Sequence, residues 1–261
     1  MNLSLGLSLA LCLAALTNAA VIQRDDDGAV NIALLDGLNL NELLVQLIEQ
    51  FKTIMPCGIP ELGVPSLVPF ELNHTAFRID QAGLLYFDGE INELLVDGLN
   101  NFDITNVDLQ ILKLKLEFSF FFHSIKTTGK YKAQGKALSF IPFNRGGKFA
   151  FNFNGLSLEG AIKIAFDGDK LSIAEFKLQP TVVSVNSKFE HVFILPLNTF
   201  IFNKIVEAVV PKFLRDNKEQ VSSFLEDLIK PQLNGLLTDL TLEDLMDMVQ
   251  GGSNVTIPSS C

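Results

Sequence analysis

From about residue 71 to 193 the apolar positions recur every second residue. In 111–122, Leu112, Leu114, Leu116, Phe118, Phe120 and Phe122 fall on one face, and Lys113, Lys115, Glu117 and Ser119 on the other. Phe149, Phe151 and Phe153 alternate with Lys148, Ala150 and Asn152, and Leu156, Leu158, Ile162, Ile164 and Phe166 extend the pattern. Long strands with one apolar and one polar face predict an antiparallel sheet solvated on one side. The phase slips between Ile173 and Phe176, which predicts a β-bulge near Ala174 and Glu175.

Helical spacing brackets this region. Leu43, Leu44, Leu47, Ile48 and Phe51 predict a helix from Asn41 that Pro56 and Gly58 stop. Pro60, Pro65 and Pro69 keep the following segment extended. Over 198–249 the period returns to 3.6. Phe200, Ile201, Ile205, Val209 and Phe213 form one ladder, and Val221, Phe224, Leu225, Leu228, Ile229 and Leu233 a second. Pro211 and Pro231 are expected to kink this segment or divide it. Apolar residues cover more than half the circumference in places, as in a helix enclosed by sheet. A long one-sided sheet needs an apolar body to wrap, and this segment is the candidate.

Composition sharpens the picture. The 261 residues include 22 Phe but 2 Tyr and no Trp, a bias toward aromatic surface without a polar handle. A net charge of −10 and a pI near 4.8 make nucleic acid a poor partner, and a mean hydropathy of +0.31 argues against disorder. Residues 1–20 are uncharged, end in small residues, and read as a secretory signal peptide, with a membrane-anchoring helix as the lesser alternative. Residues 21–40 form an acidic, Gly-punctuated lead-in, 41–249 a single domain, and 250–261 a flexible tail. No later stretch is long and apolar enough to span a bilayer, so the expectation is a secreted, extracellular protein.

Cleavage would remove Cys12 and leave Cys57 and Cys261. In an oxidising compartment they can bridge within the chain, for roughly 5 kcal/mol of chain-entropy stabilisation. Cys261 is the last residue, so an interchain bridge or a free thiol stays open. Asn73 and Asn254 head N-x-Ser/Thr sequons and are candidate glycosylation sites.

Catalysis finds little support. His74, His123 and His191 are scattered, and with two cysteines they make no recognisable metal site. Gly155-Leu156-Ser157-Leu158-Glu159-Gly160 misses the spacing of a nucleophile elbow, and no phosphate-cradling glycine loop occurs. Neither an enzymatic activity nor a cofactor is expected. Lys113, Lys115, Lys126, Lys130, Lys132 and Lys136 read as the solvated face of two strands, or alternatively as a patch for anionic headgroups or a ligand carboxylate. What remains is the interior, which composition leaves open as a packed core or a tunnel for an apolar molecule.

Motif order then adds a resemblance. GKYKAQGKALSFIPFNRGGKF at 129–149 resembles the G-x-Y-x-x-x-G... G-x-G-K-F core of the takeout and haemolymph juvenile-hormone-binding protein family of arthropods, with Arg145-Gly146-Gly147 in place of the usual Gly-polar-Gly. GIPELGVPSLVPFEL at 58–72, VDGLNNFDITNVDLQILKLKLEF at 96–118 and LRDNKEQVSSFLEDLIKPQLNGLL at 214–237 are similar to its Gly-Ile-Pro segment, its Gly-Leu-x-x-Phe strand pair and its C-terminal helix, with Lys218 where a Trp is usual. The family's pair of closely spaced cysteines near the first helix is missing; Cys57 stands alone. Residues from 157 onward also resemble the group 7 mite allergens.

The resemblance implies an α+β fold in which a long, strongly curved antiparallel sheet wraps a long kinked C-terminal helix and encloses an elongated apolar tunnel. It implies a secreted carrier of a small hydrophobic ligand, such as a juvenile-hormone-like terpenoid or a fatty acid. Expected wall residues are Phe118, Phe120, Phe149, Phe151, Phe153, Ile162, Ile164, Phe200, Ile205 and Val209, with Tyr131 meeting the ligand's polar end. The alternative is an extracellular interaction or defence protein of the same fold, binding microbial lipid or a protein partner.

Overall fold

The computed structural model of the chain describes residues 20–24, 30–34, 40–58, 65–81, 85–110, 113–137, 141–167, 170–192 and 196–237. The proposed signal segment before Ala20, the tail with Asn254, and Cys261 lie outside them. β1 (Ala20–Arg24), which begins on the last residue of the segment read as a signal, and β2 (Val30–Leu34), within the stretch read as a lead-in, pair as an antiparallel hairpin. Helix α1 (Leu40–Ile54) follows and buries Leu44, Ile48, Phe51 and Ile54 on one side.

Six strands build one antiparallel sheet: β3 (Phe70–Gln81), β4 (Leu85–Asp97), β5 (Phe102–Gln110), β6 (Lys115–Ala137), β7 (Ile141–Asp167) and β8 (Lys170–Phe189). The order is β3-β4-β6-β7-β8, and β5 also pairs with β6. β6 is long enough to serve two partners, β5 along Lys115–Phe122 and β4 along Lys126–Ala137. The expected start of this strand shifts: Leu114 has φ +50° and belongs to a turn, so the alternation becomes strand only at Lys115.

The anticipated bulge is present. Lys163 pairs with Glu175 and Ile164 with Ile173, which leaves Ala174 without a partner across the ladder. Lys230 donates to the Ala174 carbonyl at 2.6 Å, and the Asn234 amide oxygen accepts the Ile173 N–H at 2.6 Å, so side chains take over groups freed by the bulge.

A second irregularity runs across three strands. On β6 the buried positions are Leu116 and Phe122, then Ile125 and Ala133. On β7 they are Phe149, then Ile162 and Ile164; on β8, Ile173, Phe176 and Val182, then Val185. The parity switches in each strand at the same place, between the row Phe122–Leu156–Val182 and the row Ile125–Phe153–Val185. Ser124, Asn154 and Ser184 fill the row between, and Asn154 donates to Asn186 at 2.8 Å. Gly155, at φ +62°, supplies the left-handed backbone that this switch requires of β7. Two stretches of opposite parity thereby keep their apolar side chains on one face of a curved sheet.

Helices α2 (Pro196–Asp216) and α3 (Lys218–Leu237) end the described chain. Their division falls at Asn217 rather than at a proline: Pro211 lies inside α2 and Pro231 inside α3. One core joins α1 to β5 and β6 through Leu44, Phe51, Phe102, Leu116 and Phe122. Another joins α3 to β7 and β8 through Ile162, Ile164, Ile173, Phe176 and Leu233. Phe118 packs against both. The result is an α+β fold, a long curved antiparallel sheet with C-terminal helices.

Candidate functional site

The apolar face carries a strip of aromatic rings in two connected groups. Phe118 stacks on Phe120 at 5.1 Å, Phe120 meets Phe102 at 5.1 Å, and Phe102 meets Phe122 at 5.0 Å. Beyond the parity switch, Phe149, Phe151 and Phe153 run along β7 with centroids 6.1 and 5.6 Å apart. Phe189 of β8 ties this run together, contacting Phe149, Phe151, Tyr131 and Phe202 of α2 at 5.1–6.0 Å. Phe153 packs against the cluster that holds Phe122 and Ile125, so the strip is continuous. Tilted, stacked and edge-on pairs of this kind add to the apolar contact itself.

Phe102, Phe122 and Phe149 are buried, but Phe118, Phe120, Phe151, Phe153, Phe189, Phe202 and Tyr131 are only half-buried. That pattern leaves apolar surface in reach of a partner on the inner face.

The other expected wall residues are distributed differently. Ile162 and Ile164 are packed beneath α3 as core, in contact with the cluster around Leu233. Phe200, Ile205 and Val209 do not join the aromatic strip; they stand on the outer side of α2 with exposures of 58%, 54% and 52%. α2 carries two apolar ladders one residue apart, and the half-buried one is Phe202, Val206, Val210 and Leu214. Polar neighbours decide between them. β8 is an edge strand, and α2 runs along it. The Asn203 amide oxygen accepts the Phe189 N–H at 2.8 Å, and Glu207 accepts the Ser187 N–H at 3.0 Å. Further along, the Ser222 hydroxyl of α3 accepts the Leu178 N–H at 3.3 Å. These bonds satisfy edge amides that would otherwise lack a partner, and they turn the Phe202 side of α2 inward.

Tyr131 has a specific place. Its hydroxyl donates to the Glu190 carbonyl at 2.7 Å, and its ring stands edge-on to Phe189. Burial pushes its pKa up. Across the ladder stands Gly147, where any Cβ would overlap the same Glu190 carbonyl. Gly129 faces Phe149, and a Cβ there would lie 2.9 Å from the ring. The glycine-tyrosine motif thus closes the end of β8 onto β6 and β7, and the Tyr131 donor is already engaged.

Phe102, Phe189 and Phe202 belong to the strip although the sequence reading omitted them. Phe189 had a signal, as the end of the alternation Val185, Ser187, Phe189; Phe202 had none, being off the stronger-looking ladder. A separate cavity of about 510 Å³ opens where β6 continues past Tyr131, lined by Asp88, Glu90, Lys132, Gln134, Asn144 and small residues, and none of the expected wall residues borders it. Among the described residues no three His, Cys, Asp or Glu side chains converge on a metal position, and no helix is long and apolar enough to cross a membrane. Asn73 is exposed on β3, at the opposite edge of the sheet. Cys57 is disulfide-bonded.

Among solved structures, the chain is similar to takeout 1 of Epiphyas postvittana, with 16% identity and a TM-score of 0.57 over 77% of this chain and 94% of that one. That likeness shows a common fold. Lipopolysaccharide binding protein matches with 14% identity and a TM-score of 0.32, covering 76% of this chain and 38% of that one. Latherin matches with 13% identity and a TM-score of 0.26, covering 95% and 92%. Both scores are too low to establish a common fold. No curated protein sequence is significantly similar to the chain. The profile of the haemolymph juvenile hormone binding protein (JHBP) family, by contrast, matches residues 11–247, which takes in the motif around Tyr131, the whole six-stranded sheet and both C-terminal helices. The chain belongs to the haemolymph juvenile hormone binding protein family.

Proposed function

We propose that the protein is a secreted, non-enzymatic carrier of a small hydrophobic ligand, a terpenoid, fatty acid or related lipid, held along the aromatic strip inside the curved sheet. The observation that carries this reading is the row of half-buried rings, Phe118, Phe120, Phe151, Phe153, Phe189 and Phe202, on the inner face. A sheet needing only a core would bury such rings fully, as it does Phe102 and Phe122. Membership of a family named for hormone binding supports the same reading. Burying about 400 Å² of ligand at ~25 cal/mol/Å² supplies roughly 10 kcal/mol. After association costs of about 4 kcal/mol or more, micromolar affinity is reasonable. The signal-like N-terminus and the sequon at exposed Asn73 support secretion and glycosylation.

The test is native mass spectrometry of the protein secreted from eukaryotic cells, followed by organic extraction. A discrete mass shift that disappears on denaturation, and reappears in the extract as one lipid class, is the expected result. A bare mass, with no uptake from a mixture of fatty acids and terpenoids, would overturn the carrier reading. Phe151→Asp should abolish uptake while the far-ultraviolet circular dichroism stays native. A folded variant that binds lipid as well as wild type removes Phe151 from the wall.

A further inference from the structure

We propose that the outer face of α2 is a docking surface for an anionic lipid bilayer. Its exposed positions form two parallel ridges at helical spacing. Ile201, Ile205, Val209 and Phe213 make one, entirely apolar and 47–54% exposed. Phe200, Lys204, Ala208 and Lys212 make the other, with Arg215 at its end. The apolar ridge runs about 20 Å along the helix, the length of a side-on insertion into the headgroup region. Large apolar side chains at this exposure in one contiguous row are uncommon on a soluble surface and mark a contact site.

Charge selects the occupant. The chain as a whole carries −10, yet the exposed charges of α2 are Lys204, Lys212, Arg215 and a single acid, Asp216. The remaining acid of the helix, Glu207, accepts from the Ser187 N–H of β8 and from the Lys204 ammonium at 2.7 Å, and Arg215 lies 3.5 Å from Asp216, so Lys212 is the cation of this face that neither acid of the helix offsets. On α3 the exposed charges, Asp227 and Glu219 (which accepts from Gln179 of β8), are both acidic, so the basic-apolar surface stops where α2 stops. A second copy seated on this face would set cations against cations. Anionic headgroups meet the cations while acyl chains take up the ridge. At physiological ionic strength the Debye length is about 8 Å, so the distant acids of the chain are screened but cations in contact with headgroups are not. This surface is distinct from the inner aromatic strip, and its existence does not depend on what the strip holds.

Flotation of the full chain with phosphatidylcholine vesicles, with and without phosphatidylserine, tests it. Wild type is expected to float with the serine-containing vesicles and to be released by high salt. Val209→Asp should lower the bound fraction by about tenfold, from the loss of one buried aliphatic side chain and the addition of a like charge. Lys212→Glu should do the same while folding normally, since this position is exposed. Phe224→Asp, exposed on α3, is the control and should bind as wild type. No flotation, or equal loss in all three variants, overturns the proposal. A concentration-dependent dimer that Val209→Asp dissociates also overturns it, by assigning the ridge to a second copy.

Discussion

The ring of Phe118 occupies the space over Gly160 that a side chain would fill. The two residues face each other across β6 and β7, and a Cβ on Gly160 would lie 2.7 Å from Cε2 of the ring and closer still to Cζ. Phe118 also joins the core under α1 to the core under α3, so its ring position couples the two ends of the sheet. A glycine without a side chain and an aromatic lying over it form one packing unit.

Gly160→Ala should therefore destabilise the protein by about 1–3 kcal/mol, the usual effect of overpacking where the neighbour is held on both sides. Urea denaturation reads this as a lower midpoint at unchanged slope. Adding Phe118→Leu should recover part of the loss, giving a non-zero coupling in the double-mutant cycle. Wild-type stability in Gly160→Ala would mean the ring is elsewhere.

Tyr131→Phe removes the bond to the Glu190 carbonyl and should cost about 1 kcal/mol, measurable as a lower melting temperature. Uptake of hydrophobic ligand should be unchanged, because that donor serves the protein. The opposite result, normal stability with weakened uptake, would make Tyr131 the ligand's polar partner. Gly147→Ala should be the more severe change, since the obstructing atom is a backbone oxygen that cannot rotate away.

Asn203→Ala strips the β8 edge of its bonds at Phe189 and should cost about 1–3 kcal/mol, because a partly buried amide loses its acceptor. Amide hydrogen exchange is the local readout: the Phe189 amide should exchange faster while amides of the β3–β4 hairpin keep their protection. Uniform acceleration would indicate global loosening rather than release of the edge.

Glu207 gives the same junction a pH dependence. Its carboxyl is held below the usual glutamate range chiefly by the Lys204 ammonium, then by the Ser187 N–H, against a smaller opposing effect of burial. A folded-state pKa below the unfolded one contributes stability that is present above the unfolded value and is lost as pH falls through the folded value. The stability gap between wild type and Glu207→Gln should thus be full near neutrality and close below about pH 4. A gap that stays constant down to about pH 3 would show that the charge contributes nothing.

Cys57 is disulfide-bonded, and we propose Cys261 as its partner, since Cys12 falls in the segment proposed as a cleaved signal. A non-reduced peptide map should join the Cys57 peptide to the C-terminal one in monomeric material. Recovery of that pair only from covalent dimers would assign the bridge to two chains.

Much of this architecture was legible in residue order alone. The two-residue period set strands in 71–193, the slip after Ile173 set the bulge at Ala174, and the spacing of Leu44, Ile48 and Phe51 set α1 and its buried side. Those features are local, because a strand's faces and a helix's stripe follow from the backbone period. The parity switch at Gly155 was harder to see: Phe153 and Leu156 both read as apolar in an unbroken run, and only pairing with Phe122, Ile125, Val182 and Val185 shows three strands changing face together. The inward side of α2 was not encoded in its period at all. Two apolar ladders one residue apart serve equally well by hydrophobicity, and the choice fell to Asn203 and Glu207, whose partners are edge amides of a strand that the sequence alone does not bring to them. Burial of apolar area is non-directional, so it made this segment a helix against the sheet; the hydrogen bonds are directional, and they fixed which face looks in.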